Sequence, residues 1–185
     1  RARVWADAVE TELGPDGVGA FLAWGDPSLY DSTLRILDRV RGHVEFDYDV
    51  IPGITAAAGI GAYAGIPLTH RDFAQACVFV TGHLKDGSVD LDWEMLARPK
   101  QTVVFYMGIT QLATICKQLV AHGLPASTSA AVVRRGTTQA QRVVTSDLTG
   151  LPAAVKAAGI TPPALTIVGD VVGLQPRLAW FHPDE

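Results

Sequence analysis

Cysteine is nearly absent from this chain. Cys77 and Cys116 are its only two, too few for a disulfide framework or a thiolate ligand set. Both sit inside apolar patterns, so buried, reduced thiols are expected, as in a cytoplasmic protein. Neither CxxC nor HxxxH spacing occurs, and no metal site is expected. A Gly-x-Ser-x-Gly nucleophile elbow and a GxxxxGK[ST] phosphate loop are also missing. No apolar run approaches the roughly 20 residues of a membrane-spanning helix. The longest, such as Thr102–Met107, are strand-sized, and features of signal or transit peptides are lacking. No membrane association is therefore expected. A net charge of −4 with no basic stripe argues against a nucleic-acid partner.

What the chain does have is a 48% hydrophobic composition over 185 residues, enough for one good core or two small domains. Strand-like and helix-like segments alternate, which predicts α/β architecture. Val18–Trp24 reads as a short buried strand, and Leu29–Arg41 as a helix with Ser28 as its N-cap. Val44, Phe46, Tyr48 and Val50 alternate with polar residues as in a half-buried strand. A small-residue helix is expected over Thr55–Ala64, stopped by Pro67. Further strands are expected at Ala76–Val80, Gln101–Met107, Ser129–Val133, Gln141–Thr145 and Leu165–Val172. Helices are expected at Gln111–His122, with Gly123 as its C′ residue, and at Leu151–Ala158. The polar stretch Gly82–Asp92 is loop-like. The Leu68–Asp72 loop suggests a domain seam near Asp72–Ala76, giving an N-terminal domain over 1–75 and a C-terminal one over 76–185.

Several loops carry residues suited to ligand binding. Trp24-Gly25-Asp26-Pro27 follows a strand-like segment and precedes a helical one. Asp26 there can accept bonds from a ribose, an ammonium or a backbone turn. Thr55 followed by Ala56–Ala58 makes a thin helix start, suited to a packed nucleoside or to close helix–sheet packing. Thr69-His70-Arg71-Asp72 is either a solvated connection or a contact for an acidic substrate, with Arg71 able to grip a carboxylate by two prongs. His83, Lys85, Arg134 and Arg135 can add to such a surface. Met107 ends a strand, where open α/β sheets bind ligands, though a core role fits an isolated Met. Gly136 reads first as a turn residue.

Together the segments IPGITAAAGIGAYAGIPLTHRD (Ile51–Asp72), VTGHLKDG (Val80–Gly87), LDWEMLA (Leu91–Ala97), QTVVFYMG (Gln101–Gly108) and LAWF (Leu178–Phe181) resemble the tetrapyrrole methylases. The resemblance is to the uroporphyrinogen-III C-methyltransferase kind, including the methylase domain of siroheme synthase. It implies two α/β domains with S-adenosylmethionine in the cleft between them, S-adenosylhomocysteine as product, and a homodimer. It also implies cofactor contacts at Trp24, Gly25, Asp26, Leu29, Thr55, Ala56, Met107, Gly136 and Ala164. The implied reaction methylates C2 and C7 of uroporphyrinogen III to give precorrin-2, and gives His70 and Arg71 a role in binding that tetrapyrrole.

Two departures qualify the resemblance. WGDPSLYDSTLRILDRV (Trp24–Val40) and FDYDVIPGIT (Phe46–Thr55) are more similar to precorrin-6A synthase, a methylase that alkylates C1 and removes an acetyl unit, so the chain reads as a hybrid joined near Ile51–Ala58. The family's opening strand, its Gly-rich loop and the stretch bearing a proposed catalytic Asp and Lys have no counterpart here. The N-terminal domain is thus expected to be incomplete, and no catalytic residue is assigned. Arg134-Arg135 stands where the family carries Glu-Asn, placing two cations near a cationic cofactor unless a substrate carboxylate neutralises them. A non-catalytic, dimeric ligand-binding remnant is the alternative of another class.

Overall fold

The computed structural model describes residues 1–14, 16–82 and 90–183. By contact the chain separates into two compact units, Arg1–Thr55 and Ala56–Glu185. This division falls earlier than a seam at Asp72–Ala76, because the helix after Thr55 packs on the sheet that begins at Ala76: Ala57, Ala64 and Ile66 share one buried cluster with Val104, Ala131 and Ile167.

The first unit is helical where it is regular. Helix α1, Ala2–Ala8, runs on as a π-helical turn over Val9–Leu13. Helix α2 spans Thr33–Val40 and buries Leu37 and Val40. It begins later than the predicted Leu29. The Ser28 N–H and hydroxyl both donate to Asp26 Oδ1, the Leu29 N–H bonds Asp26 O at 3.2 Å, and Tyr30 holds φ +53. That turn delays the helix, so Ser28 is not its N-cap, and the Thr33 N–H donates to Asp31 Oδ1 at 2.6 Å instead. The strands expected at Val18–Trp24 and Val44–Val50 are not formed. The residues described here offer them no ladder partner, and strand backbone needs one. Val18, Leu22 and Trp24 are more than 90% exposed.

The second unit is a five-stranded sheet in the order β1-β2-β5-β3-β4. Its strands are β1 (Ala76–Thr81), β2 (Gln101–Tyr106), β3 (Ser129–Arg134), β4 (Arg142–Asp147) and β5 (Ala164–Val168). Strands β1 and β2 are parallel, and the other pairs are antiparallel. The continuous apolar runs of β2, β3 and β5 are buried on both faces, as central strands require. One face packs Phe105, Val132, Ile115, Leu119 and Leu151; the other packs the cluster containing Ala57 and Ile66. Strand β5 ends at Val168 rather than Val172. Gly169 takes φ +143, and its backbone lies so near β2 that an added Cβ would sit 2.9 Å from Gln101 O. A 3₁₀ turn then follows over Asp170–Leu174.

The helices of this unit are α3 (Ala56–Ala64), α4 (Trp93–Leu96), α5 (Leu112–Ala121), α6 (Leu151–Ala157) and α7 (Gln175–Leu178). Gly123, at φ +116, closes α5 as predicted. Its N–H bonds Val120 O, and the Leu124 N–H bonds Leu119 O, the paired pattern of a Schellman motif. Among the described residues no helix is long and apolar enough to cross a membrane.

Candidate functional site

The register of the sheet brings one end of each of its five strands together. Strands β1 and β2 finish there at Thr81 and Tyr106, β3 finishes at Arg134 paired with Ala164 at the start of β5, and β4 starts at Arg142 opposite Arg134. Met107 leaves β2 at φ +57 with its side chain 53% exposed. Gly82 and Gly108 follow β1 and β2 in near contact, since a Cβ on Gly82 would lie 2.5 Å from Gly108 Cα. Two side chains are thus excluded where the strands open.

Helix α3 is tied to this same end. Its second residue, Ala57, donates its N–H to the Tyr106 hydroxyl at 2.9 Å, satisfying one of the donors a helix start leaves free. One turn on, Ile60 fills the space that a side chain at 136 would need, 2.3 Å from an added Cβ. So Gly136 is fixed by packing as well as by its turn. Its neighbours Arg135 and Thr137 both hold left-handed backbone, φ +45 and +69. Of the predicted cofactor positions, Ala56, Met107, Gly136 and Ala164 are therefore gathered at one sheet end.

Trp24, Gly25, Asp26, Leu29 and Thr55 belong to the other unit. Asp26 Oδ2 accepts the Gly53 N–H at 3.0 Å, and Oδ1 takes both donors of Ser28. The Ser28 hydroxyl first, then the Gly53 N–H, hold the Asp26 carboxyl below its usual range. Of the options the sequence left open for Asp26, the backbone turn is realised. Gly25 takes φ +86, and a Cβ on Gly53 would lie 2.0 Å from Gly25 O. The Gly-Asp-Pro and Pro-Gly-Ile loops thus stack backbone on backbone. Trp24 is 94% exposed and Leu29 half-buried. Thr55 immediately precedes α3.

His70 and Arg71 are not brought to the Met107 end. Residues 70–74 form a tight turn closed by the His70 and Ala74 backbones, and the next residue donates its N–H to Lys100 O, at the start of β2. The length of β1 separates the two places, roughly 16 Å at about 3.3 Å per residue. His70 Nδ1 accepts the Asp72 N–H at 3.2 Å, and the Asp72 carboxylate stands 3.9 Å from it. Arg71 is exposed. His83 and Lys85 lie outside the described residues.

Burial pushes the thiols of Cys77 and Cys116 up to about 11, so both are neutral near pH 7 and unsuited to nucleophilic work. No group of three or more His, Cys, Asp or Glu that could hold a metal ion occurs among the described residues. Sequence reasoning missed Tyr106, Gly82 and Arg142. The repeated pattern of an apolar strand ending in glycine, VTG and YMG, was a usable signal for the Gly82–Gly108 approach; the Tyr106 and Arg142 pairings had none.

Comparison with known proteins bears on this geometry. The family profile of the Tetrapyrrole (Corrin/Porphyrin) Methylases matches residues 3–152. A siroheme synthase from Nitrosospira multiformis is 57% identical over 163 residues, 88% of this chain and 34% of the relative. The chain thus spans about a third of the length of the curated relatives it matches. A uroporphyrin-III C-methyl transferase from Thermus thermophilus, solved with S-adenyl homocysteine, has 31% identity and a TM-score of 0.67, covering 80% of this chain and 61% of that one. A putative cobalamin synthesis related protein (CobF) from Corynebacterium diphtheriae has 25% identity and a TM-score of 0.64, covering 93% and 69%. With its profile match running from α1 into α6 and its sheet shared with these enzymes, the chain belongs to the tetrapyrrole (corrin/porphyrin) methylases.

Proposed function

We propose that this chain is the methylase portion of a siroheme synthase-like protein, transferring methyl groups from S-adenosylmethionine to C2 and C7 of uroporphyrinogen III to give precorrin-2. The observation that carries this reading is the 57% identity to a siroheme synthase across 88% of the chain. The likeness to a C-methyl transferase solved with S-adenyl homocysteine supports the choice of donor.

The residues at the sheet end fit such a nucleoside. Ala56 is exposed at the thin start of α3, Gly136 adds no side chain, and Met107 is exposed in left-handed backbone. When bound, S-adenosylmethionine supplies an electrophilic methyl on its sulfonium. The chain's own contribution is then alignment, for which rigid backbone suffices. Tyr106 holds the start of α3 against β2, and the Gly82–Gly108 contact keeps the strand ends open. In this reading Trp24, Gly25, Asp26, Leu29 and Thr55 of the first unit are the further nucleoside-contacting positions that the family resemblance implies. Asp26 serves by shaping its loop, and the protein works in the cytoplasm as a homodimer.

A second reading is C1-methylation with loss of an acetyl unit, as by precorrin-6A synthase. The likeness to a putative cobalamin synthesis related protein, extending over 93% of the chain, favours it.

Calorimetric titration with S-adenosylhomocysteine, followed by incubation with labelled S-adenosylmethionine and each tetrapyrrole, tests both. Micromolar binding at one site per chain and two methyls added to uroporphyrinogen III are expected. A single methyl, accepted only by precorrin-5, would transfer the assignment to the second reading. A folded chain that binds the nucleoside and methylates neither tetrapyrrole is a ligand-binding remnant.

A further inference from the structure

A row of arginines borders the candidate site. The β3–β4 register sets Arg134 directly opposite Arg142, and the β3–β5 register sets Arg134 beside Ala164. The β2–β5 register runs to the Phe105–Thr166 pair, so Met107 and Ala164 both lie at this end of the sheet. A single row thus crosses three strands as Ala164, Arg134, Arg142, with neighbours about 4.8 Å apart, and Met107 turns off the end of β2 beyond it. Arg135 follows at once, exposed and in left-handed backbone.

Like charges directly opposite in an antiparallel ladder are destabilising, and a non-glycine residue in left-handed backbone adds a further cost. Among the described residues no carboxylate pairs with these guanidiniums to offset these terms. Among the described residues the one close approach of a basic side chain to a carboxylate is His70 to Asp72, 3.9 Å apart at the far end of the sheet. Arg134 is held in place, its Nε donating to Thr161 O at 3.2 Å, and it is half-buried. Arg142 is exposed. Such an arrangement suits an anion that arrives from solution, since a guanidinium fork grips a carboxylate through two parallel bonds.

Resting on the functional reading above, we propose that Arg134, Arg135 and Arg142 form a clamp for the carboxylates of the tetrapyrrole, at the same sheet end where Met107 leaves β2. A bound carboxylate offsets the repulsion between the guanidiniums and also their repulsion of the sulfonium nearby. The clamp also relocates the acid-binding surface from His70 and Arg71, at the opposite end of β1, to the end where the methyl donor is placed.

Titration of the chain with uroporphyrin III, the stable oxidised form of the substrate, followed by porphyrin fluorescence, tests the clamp. Arg142→Glu separates binding from folding, because an acid opposite Arg134 relieves the cross-strand repulsion. It should raise Tm while weakening uroporphyrin binding at least tenfold. Arg135→Gln should weaken binding without raising Tm, and Arg142→Lys, which keeps the charge but loses the fork, should fall between Arg142→Glu and the parent chain. Equal affinity of Arg142→Glu and the parent chain would overturn the clamp and leave the methylase reading standing. A parent chain that binds S-adenosylhomocysteine but no uroporphyrin would overturn the clamp together with uroporphyrinogen as substrate.

Discussion

Thr166 shows how much a single atom weighs in a closed core. It lies on β5 between Phe105 of β2 and Val132 of β3, is 1% exposed, and its hydroxyl has no hydrogen-bond partner among the described residues. A hydroxyl stripped of water without a replacement partner costs of the order of 1–3 kcal/mol. Thr166→Val keeps the shape and removes that cost, so it should stabilise the chain by about 1 kcal/mol, read as a higher urea midpoint at unchanged m-value. A drop in the midpoint would mean that the hydroxyl makes a bond the sheet depends on. Asp26 is the opposite case, since both its carboxylate oxygens have donors and its pKa is lowered for that reason. The sequence advertised Asp26 through its Gly-Asp-Pro context. It placed Thr166 in an apolar strand-like run but gave no sign that its hydroxyl would be left without a partner.

At the scale of elements, α3 shows what a weakly patterned helix depends on. Its residues, AAAGIGAYA, are small and apolar nearly all round, with two glycines that disfavour helix relative to Ala. Packing and end contacts must hold it. Ala57, Gly61 and Ala64 are buried on one side, Gly61 because an added Cβ would lie 2.9 Å from Ile66 O, and the first turn is pinned by the Tyr106 hydroxyl. Tyr106→Phe strands the buried Ala57 N–H and should cost about 1–3 kcal/mol. Because the same bond places Ala56 beside the end of β2, affinity for S-adenosylhomocysteine should fall as well. A variant with full stability and unaltered affinity would show that α3 is positioned by packing alone. The extent of α3 was legible from its small residues and Pro67, but its anchor was not, because the two ends of the bond lie 49 residues apart.

At the scale of the whole molecule, the two units differ in how their backbone is satisfied. In Ala56–Glu185 the ladder bonds of β2, β3 and β5 sit between two buried side-chain layers. In Arg1–Thr55 the described core reduces to Ala6, Leu37 and Val40, and segments 18–24 and 44–50 have no strand partner among the described residues. Local opening free energy follows such differences in burial. Hydrogen exchange of the native chain should therefore leave the amides of Val103–Phe105, Ala131–Val133 and Leu165–Ile167 protected longest. Those of 18–24 and 44–50 should exchange within the earliest times sampled. Strong protection in the latter would show that these segments find strand partners in solution.

By itself the sequence determined the class of fold, the positions of the five strands from Ala76 onward to within a few residues, and the family. Each of these rests on local information: apolar runs of strand length, glycine at a helix end, and contiguous motifs such as Ile51–Asp72. The tertiary structure decided what depends on distant residues meeting. It placed Ala56, Met107, Gly136 and Ala164 at one end of the sheet and His70 with Arg71 at the other. It set Arg142 against Arg134, and it left Val18–Trp24 and Val44–Val50 without the ladder their alternation suggested. A strand is completed by its neighbour, so periodicity along one segment states a capacity for pairing, and only the assembled sheet states whether the partner is there.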